Sequence, residues 1–508
     1  MGAERPNFLL ITTDQHRGDC FGFEGRRVKT PHLDGLARSG TRFSSCIAAN
    51  PVCQPSRASL LTGLLPNTHG VPDNGFDLSP EIGERGFGGE LARAGYRTAL
   101  IGKAHFATSH TFEPTGTPEC RVSSANYGPD WYGPYMGFQY VELVVEGHNQ
   151  WPPLEPPCGQ HYEHWYYADG MGAEKNRLYR TGLPPDVGAM QTFHSALPVA
   201  WHNSTWVGDR TIEYLRRQRE EPFCLWASFP DPHHPFDAPE PWSRLHDPNE
   251  VDLPRHRTTD FERRPWWHLA SQQEKHDSRF AKIRGDFLKI RPQTDEQLRH
   301  LIANYYGMIS LIDHNVGRIL ITLHDLGLRD RTIVVFTADH GEWLGDHGLF
   351  FKGPMLYEGL LRVGLIFSGP GVPAGRVVND PVSFIDLPAT SYDYAGISSD
   401  AARHSQSLRP LIENRGERRE FAYCEWDLDA TRCGVALRLR TVRTRTHKLT
   451  LDLESGAGEL YDLANDPDEM VNRFNDPAYA GIRRGLEEMI ASQPGDYMEP
   501  PPKRVGMA

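Results

Sequence analysis

A cysteine, a proline and an arginine at alternate positions, Cys53-Gln54-Pro55-Ser56-Arg57, form the stretch with the most chemical content in this 508-residue chain. Proline suits the first turn of a helix, where its missing N–H would have no partner anyway, and Gly63 suits the position just past the end. Cys53 is then expected at a helix N-terminus, whose partial positive charge eases ionisation of a thiol and holds an anion. Arg57, one turn on, supplies a planar cation able to reach both the Cys53 side chain and a bound oxyanion. Asp14 with Gln15, and Asp339 with His340, offer two carboxylates, an amide oxygen and an imidazole. That set is enough to hold one divalent cation with a position left for substrate. A structural cysteine at an ordinary helix start is the competing reading of the first motif.

The elements that must bring these residues together are legible in the apolar runs before them. Residues 7–12 lead to Asp14 and Gln15, 98–102 to Lys103 and His105, 223–229 to His233 and His234, and 332–337 to Asp339 and His340. Continuous apolar runs read as strands buried on both faces of a parallel sheet, and such sheets bind ligands beyond the carboxyl ends of their strands. Thr294 as N-cap, followed by Leu298, Ile302, Tyr305, Ile309, Ile312, Val316, Ile319 and Leu323, predicts a long helix before Gly327 that crosses over into the 332–337 strand. Residues 363–367 read as a further strand and 383–394 as a short helix ending near Gly396.

From about residue 400 the pattern alternates, predicting antiparallel strands near 437–442, 448–453 and 459–463 and a closing helix over 482–490. The expected fold is α/β: a large, mostly parallel sheet sandwiched by helices, with a smaller C-terminal antiparallel α+β subdomain. The domains are expected at 1–400 and 401–508. Residues 106–202 form an insertion dense in Pro, Gly, Trp and Tyr, which either shapes a substrate pocket, makes a subunit contact, or packs on its own aromatics.

Composition narrows the function. A formal charge of -12 and a pI near 6.0 argue against nucleic acid or an anionic membrane as partner, so an anionic substrate needs a local positive pocket. No apolar run reaches the length of a membrane span, and the first is too short for a signal peptide. The eight cysteines are scattered without C-x-x-C pairs, pointing to reduced thiols and a cytoplasmic protein.

Taken together, these motifs resemble the type I sulfatases of the alkaline-phosphatase-like superfamily. In that family the cysteine of C-x-P-x-R is oxidised to formylglycine (3-oxoalanine), whose hydrated aldehyde is the nucleophile; Cys53, Pro55 and Arg57 fit, as does the Leu61-Thr62-Gly63 extension. Lys103-Ala104-His105 matches the family's Lys-x-His, and Lys352 opens a segment like its second lysine motif. Pro232-His233-His234-Pro235 resembles its Pro-His-x-Pro, making His233 a substrate contact with His234 an adjacent competitor. Asn74 is a further expected contact to the anion. The resemblance places one divalent metal at Asp14, Gln15, Asp339 and His340. These Asp-Gln and Asp-His pairs depart from the Asp-Asp and Asp-Asn of many sulfatases and are similar to phosphonate monoester hydrolases and choline-sulfatase-like members, leaving Ca²⁺ and Mn²⁺ both open.

What the resemblance implies is a sulfuric ester hydrolase, acting on aryl or small alkyl sulfates. Asp339 would assist attack by a hydroxyl of the converted Cys53, His233 with Lys352 would stabilise the leaving alcohol, and His105 would take the second hydroxyl's proton. Phosphonate monoester or phosphodiester hydrolysis is the alternative within the superfamily, against which the Lys-x-His pair speaks. A non-catalytic anion-binding protein is the alternative outside it. The implied partners are a small anionic ester, a formylglycine-generating maturation enzyme and, through the insertion, a second copy in a homo-oligomer.

Overall fold

The computed structural model describes residues 5–147, 151–217, 221–272, 291–416 and 418–507. In chain order its first strands are β1 (Asn7–Thr13), β2 (Thr41–Ile47), β3 (Arg97–Gly102), β4 (Tyr140–Leu143), a small ribbon of β5 (Gly182–Leu183) and β6 (His194–Ser195), and β7 (Phe223–Ser228). There follow β8 (Thr332–Ala338), β9 (Arg362–Ser368), β10 (Arg376–Val378) and β11 (Val382–Ser383). All but the ribbon join one sheet, in the order β10-β2-β9-β8-β1-β7-β3-β4 with β11 beside β2.

β8, β1, β7 and β3 are neighbours and mutually parallel, so the four apolar runs do deliver their polar residues to one edge. Thr12 pairs with Ser228 on one side and Thr337 on the other, and Ser228 pairs with Gly102. The backbone ladder continues past the strand ends: Asp339 N–H donates to Thr13 O, Asp14 N–H to Asp231 O and Lys103 N–H to Ser228 O. Gly102 makes the exit from β3 with φ 110°, where a Cβ would collide with Ser228 O. β9 runs antiparallel to both β2 and β8, so the sheet is mixed.

Burial on both faces explains the unbroken apolar runs. Phe8, Leu10, Leu100, Trp226 and Val335 face Leu60, Leu61, Phe87, Leu91 and Leu387. Leu9, Ile11, Ile101, Leu225 and Phe336 face Trp206 and Leu215 of helix Asn203–Arg217 and Ile312, Val316 and Ile319 of helix Asp295–Asp325. The latter spans 31 residues and begins at the expected N-cap Thr294, which forms a reciprocal capping box with Gln297.

Four antiparallel strands, β12 (Phe421–Leu428), β13 (Leu437–Thr444), β14 (His447–Asp452) and β15 (Gly458–Asp462), form the C-terminal sheet, on which helix Ala480–Ala491 packs through Leu486 and Ile490. β2 and β12 are strands the sequence reading missed. The aromatic insertion is not wholly separate: β4 extends the main sheet beside β3, and Tyr162 packs edge-on against Trp206. Among the described residues no disulfide forms, and no helix is long and apolar enough to cross a membrane.

Candidate active site

β2 runs down to the helix Cys53–Thr62, every residue of which is buried. Val52 enters it in extended conformation and Gly63 ends it with φ 66°. Two side chains tie its first turn in place. Gln54 N–H donates to Asn74 Oδ1 at 3.0 Å, and Ser56 Oγ donates to Asp339 O at the end of β8. Cys53 is thereby fixed beyond the edge to which β8, β1, β7 and β3 deliver their polar residues.

Around Cys53 Sγ lie Lys352 Nζ at 2.9 Å, His340 Nε2 at 3.2 Å and Asp14 Oδ1 at 3.5 Å. Lys352 Nζ is also 3.1 Å from His233 Nε2 and 3.2 Å from His340 Nε2. Carbonyl oxygens only accept, so His233 Nδ1–H donates to His234 O at 2.6 Å and His340 Nδ1–H to Gly341 O at 2.8 Å. Both Nε2 lone pairs therefore face the lysine. Behind them Arg57 is shared: Nε bonds Asp339 Oδ2 at 2.8 Å, Nη2 lies 3.5 Å from Asp14 Oδ2, and Nη1 donates to Lys103 O and Ser228 Oγ. Lys103 Nζ pairs with Asp14 Oδ2 at 2.5 Å.

The electrostatics correct one expectation. A helix N-terminus should ease ionisation of Cys53, but burial, aided by the Asp14 carboxylate, pushes the thiol up and outweighs the pull of Lys352 and Lys103. Cys53 is a neutral thiol here. Asp14 goes the other way: burial opposes ionisation, yet Lys103, His233, Arg57 and Lys352 together hold it well below the usual carboxylate range. Burial lowers His340 to about 4, with Lys352 adding to the effect, and holds His233 and His234 well below the ordinary imidazole value.

The donor set fits a divalent cation. Ligand atoms of Asp14, Cys53, Asp339 and His340 all lie within 4.8 Å of one another. Gln15 Nε2 donates to Glu342 Oε2 and lies 3.0 Å from His234 Nδ1, while its buried Oε1 has no hydrogen-bond partner. A buried amide oxygen left over beside two carboxylates and an imidazole lone pair is what an oxygen- and nitrogen-ligated cation needs. His340 Nδ1–H on Gly341 O is the outer contact that aims such a ligand.

The remaining expected residues divide. Asn74 spends Oδ1 on the helix, leaving its Nδ2 donors for other use. His234 turns from Cys53 toward Gln15 and lies against Phe351, so of the two adjacent histidines it is His233 that faces Lys352. His105 is half-buried, with φ 56° and its N–H held by Glu119.

Three supporting residues escaped the sequence reading. Glu342, pushed up to about 7 by burial, accepts from Gln15, Leu344 N and Phe351 N. Its signal was a charge three residues after Asp339, between Gly341 and the apolar pair Trp343 and Leu344. Glu119 carries the 105–107 backbone, and Asp73 anchors two arginines from the C-terminal part. Neither has a local sequence signal, because both partners are brought by the fold.

The sulfatase family profile matches residues 6–397, and that of the C-terminal part of N-sulphoglucosamine sulphohydrolase matches residues 345–494. The chain is 29% identical to the uncharacterized sulfatase YidJ of Escherichia coli (strain K12), covering 98% of this chain and 88% of that one. It is 28% identical to an arylsulfatase of Clostridium perfringens (strain 13 / Type A), covering 94% and 91%. The phosphonate monoester hydrolase of Agrobacterium radiobacter superposes with a TM-score of 0.76 at 28% identity, over 96% of this chain and 95% of that one.

Proposed function

This chain belongs to the sulfatase family and hydrolyses sulfuric esters; we propose that its substrate is an aryl or small alkyl sulfate monoester, cleaved at Cys53. One observation carries the reading: a single buried sulfur at a helix N-terminus with Lys352, His340 and Asp14 within 3.5 Å. When present, a divalent cation held by Asp14, Gln15, Asp339 and His340, and formylglycine made from Cys53, supply a Lewis acid and an oxygen nucleophile.

The other tasks fall to this chain's own side chains. Lys352 and Lys103, with Arg57 behind, place cations where charge develops as the ester bond breaks. Lys352 donates to His233 Nε2, so this pair holds a proton near the leaving oxygen. Asp339, fixed by Arg57 on one oxygen and by the N–H groups of Gln15 and His340 on the other, is oriented to accept a proton at position 53. His105, with access to solvent, takes the last proton. Asn74 Nδ2 is a further donor to the anion, and His234 positions Gln15.

A second reading, phosphonate monoester hydrolysis, is favoured by the Asp-Gln and Asp-His pairs and by the Agrobacterium radiobacter neighbour. We also propose domains at 1–400 and 401–508, a formylglycine-generating maturation partner, self-association through the insertion and, from the scattered cysteines, a cytoplasmic location.

The test is the mass of the tryptic peptide of residues 43–57, which carries Cys46 as an internal unmodified control, followed by kcat/KM on matched aryl sulfate and aryl phosphonate esters. Conversion of Cys53 alone and preference for the sulfate support the proposal. An unmodified Cys53 in protein from its native host would overturn it.

A further inference from the structure

Arg432 is a charged side chain near the active site that none of these roles uses. It lies in the short helix Ala430–Cys433, and the neighbouring Cys433 packs in the same apolar cluster as Val52, which precedes Cys53, and as Trp343 and Met355, which flank the Lys352 segment. Nε of Arg432 donates to both oxygens of Asp73, at 2.7 and 2.9 Å. Asp73 in turn precedes Asn74, whose Oδ1 holds the first turn of the Cys53 helix. The Cys53 side chain is within electrostatic reach of the guanidinium.

The neighbours of Arg432 are saturated. Asp73 is wholly buried and also accepts from Trp426 Nε1 and Arg504 Nη2. Arg504 has every nitrogen engaged, with Nη1 on Asn74 O and Nε on Asp429. Arg432 differs. Its side chain is only 13% exposed, yet its two terminal nitrogens make no hydrogen bond among the described residues and are not sealed in protein. A guanidinium fixed at Nε by a buried carboxylate, with its open fork facing accessible space, has had its ordering cost met before any ligand arrives. Its planar pair of donors matches a carboxylate or sulfate bidentately, and partial burial strengthens the attraction.

We infer that Arg432 is a specificity residue for the leaving group, selecting sulfate esters whose alcohol or phenol half carries a second anion such as a carboxylate or another sulfate. This rests on the hydrolase reading of the Cys53 site and narrows it to a substrate class. Lys352, Lys103 and Arg57 serve the sulfate being cleaved; Arg432 serves the group it leaves behind.

The test compares kcat/KM for phenyl sulfate with that for 3- and 4-carboxyphenyl sulfate in the mature protein and in Arg432→Gln and Arg432→Lys. The wild type should prefer a carboxylated ester, and the ratio of carboxylated to neutral substrate should fall by about tenfold or more in Arg432→Gln, the loss of a charged bidentate contact. The ratio cancels any general loss of activity or folding. Arg432→Lys, which keeps the charge without the fork, should fall between. An unchanged ratio in Arg432→Gln overturns the inference, whatever the absolute rates. Calorimetric binding of the same esters to Cys53→Ala, with and without Arg432→Gln, decides it independently of turnover. If the mature protein hydrolyses none of them, the hydrolase reading fails, yet a carboxylate preference in binding that Arg432→Gln removes still supports Arg432. Equal binding of neutral and carboxylated esters overturns it.

Discussion

Glu119 is the group whose titration should be easiest to read in the stability of this protein. Glu119 is 5% exposed, and its carboxylate accepts from the backbone N–H groups of His105, Phe106 and Ala107 and from the Tyr135 hydroxyl. Burial favours the neutral acid, and the four donors favour the ion. Burial prevails and raises Glu119 from 4.5 to about 7. A carboxyl with a raised folded-state pKa binds its proton more tightly when folded, so its contribution is fully present below 4.5 and is lost as pH rises through about 7. Between pH 5 and pH 8 the loss amounts to about 2.5 kcal/mol, at 1.36 kcal/mol per unit over the part of the shift that lies in that window. For 508 residues melting as one unit, at about 2.1 cal/mol/K of unfolding entropy per residue, this is roughly 2–3 °C. Glu119→Gln keeps an acceptor oxygen but cannot titrate. Its melting temperature relative to wild type, read by scanning calorimetry at matched pH, should therefore climb by about that amount from pH 5 to pH 8. A flat difference would refute the reasoning. A difference that falls with pH would mean that the four donors, not burial, set the ionisation.

The other predictions concern the Cys53 site. Cys53→Ser should abolish multiple turnover while leaving the circular dichroism spectrum intact; full turnover in that variant would exclude a mechanism that needs the aldehyde made from Cys53. Asn74→Ala removes the acceptor for Gln54 N–H and should cost about 1 kcal/mol of stability, seen as a lower denaturation midpoint, together with a drop in kcat. Dialysis against a chelator should remove activity, and a divalent cation should restore it. Gln15→Ala should raise the cation concentration needed for half-activity, with metal content measured by mass spectrometry confirming weaker retention.

Where the sequence spoke clearly, the reason was physical. Residues 8–11 and 333–336 are unbroken apolar runs because β1 and β8 are covered on both faces, and a run buried on both sides leaves no ambiguity of period. The polar residue after each run was then readable as a site residue, since parallel neighbours share an edge. β2 was missed although it leads to Cys53, because Thr41, Ser44 and Ser45 dilute its apolar character near the side of the sheet. The neutral state of Cys53 was misread for a different reason. A helix N-terminus is a local feature visible in spacing, but the opposing burial and the Asp14 carboxylate arrive from remote parts of the chain. Asp73 with Arg432 and Glu119 with Tyr135 were invisible on the same ground, each pairing residues that carry no motif.

Charge at the Cys53 site does not by itself choose the substrate. Two lysines and Arg57 face Asp14 and Asp339 there, and any divalent cation adds to the positive excess. A sulfate monoester and a phosphonate monoester each present one negative charge, so the same field suits both. The neutral Cys53 thiol, held so by burial and Asp14, is a poor nucleophile toward either, so the proposed conversion of that residue would bear on activity rather than on preference. The two esters differ in the transferred half, where the phosphonate carries carbon in place of one sulfate oxygen, so that choice is made at the Cys53 site. Discrimination among esters of one kind arises instead at the leaving half and the groups that receive it. His233 and Lys352, 3.1 Å apart, are the pair proposed to meet the leaving oxygen whichever anion is cleaved. Arg432, placed by Asp73, is the group inferred above to meet what that oxygen carries. If a second anion on the leaving group governs kcat/KM more than the choice of sulfur or phosphorus, the specificity of this enzyme is set from its C-terminal part, while the sheet edge supplies chemistry common to both reactions.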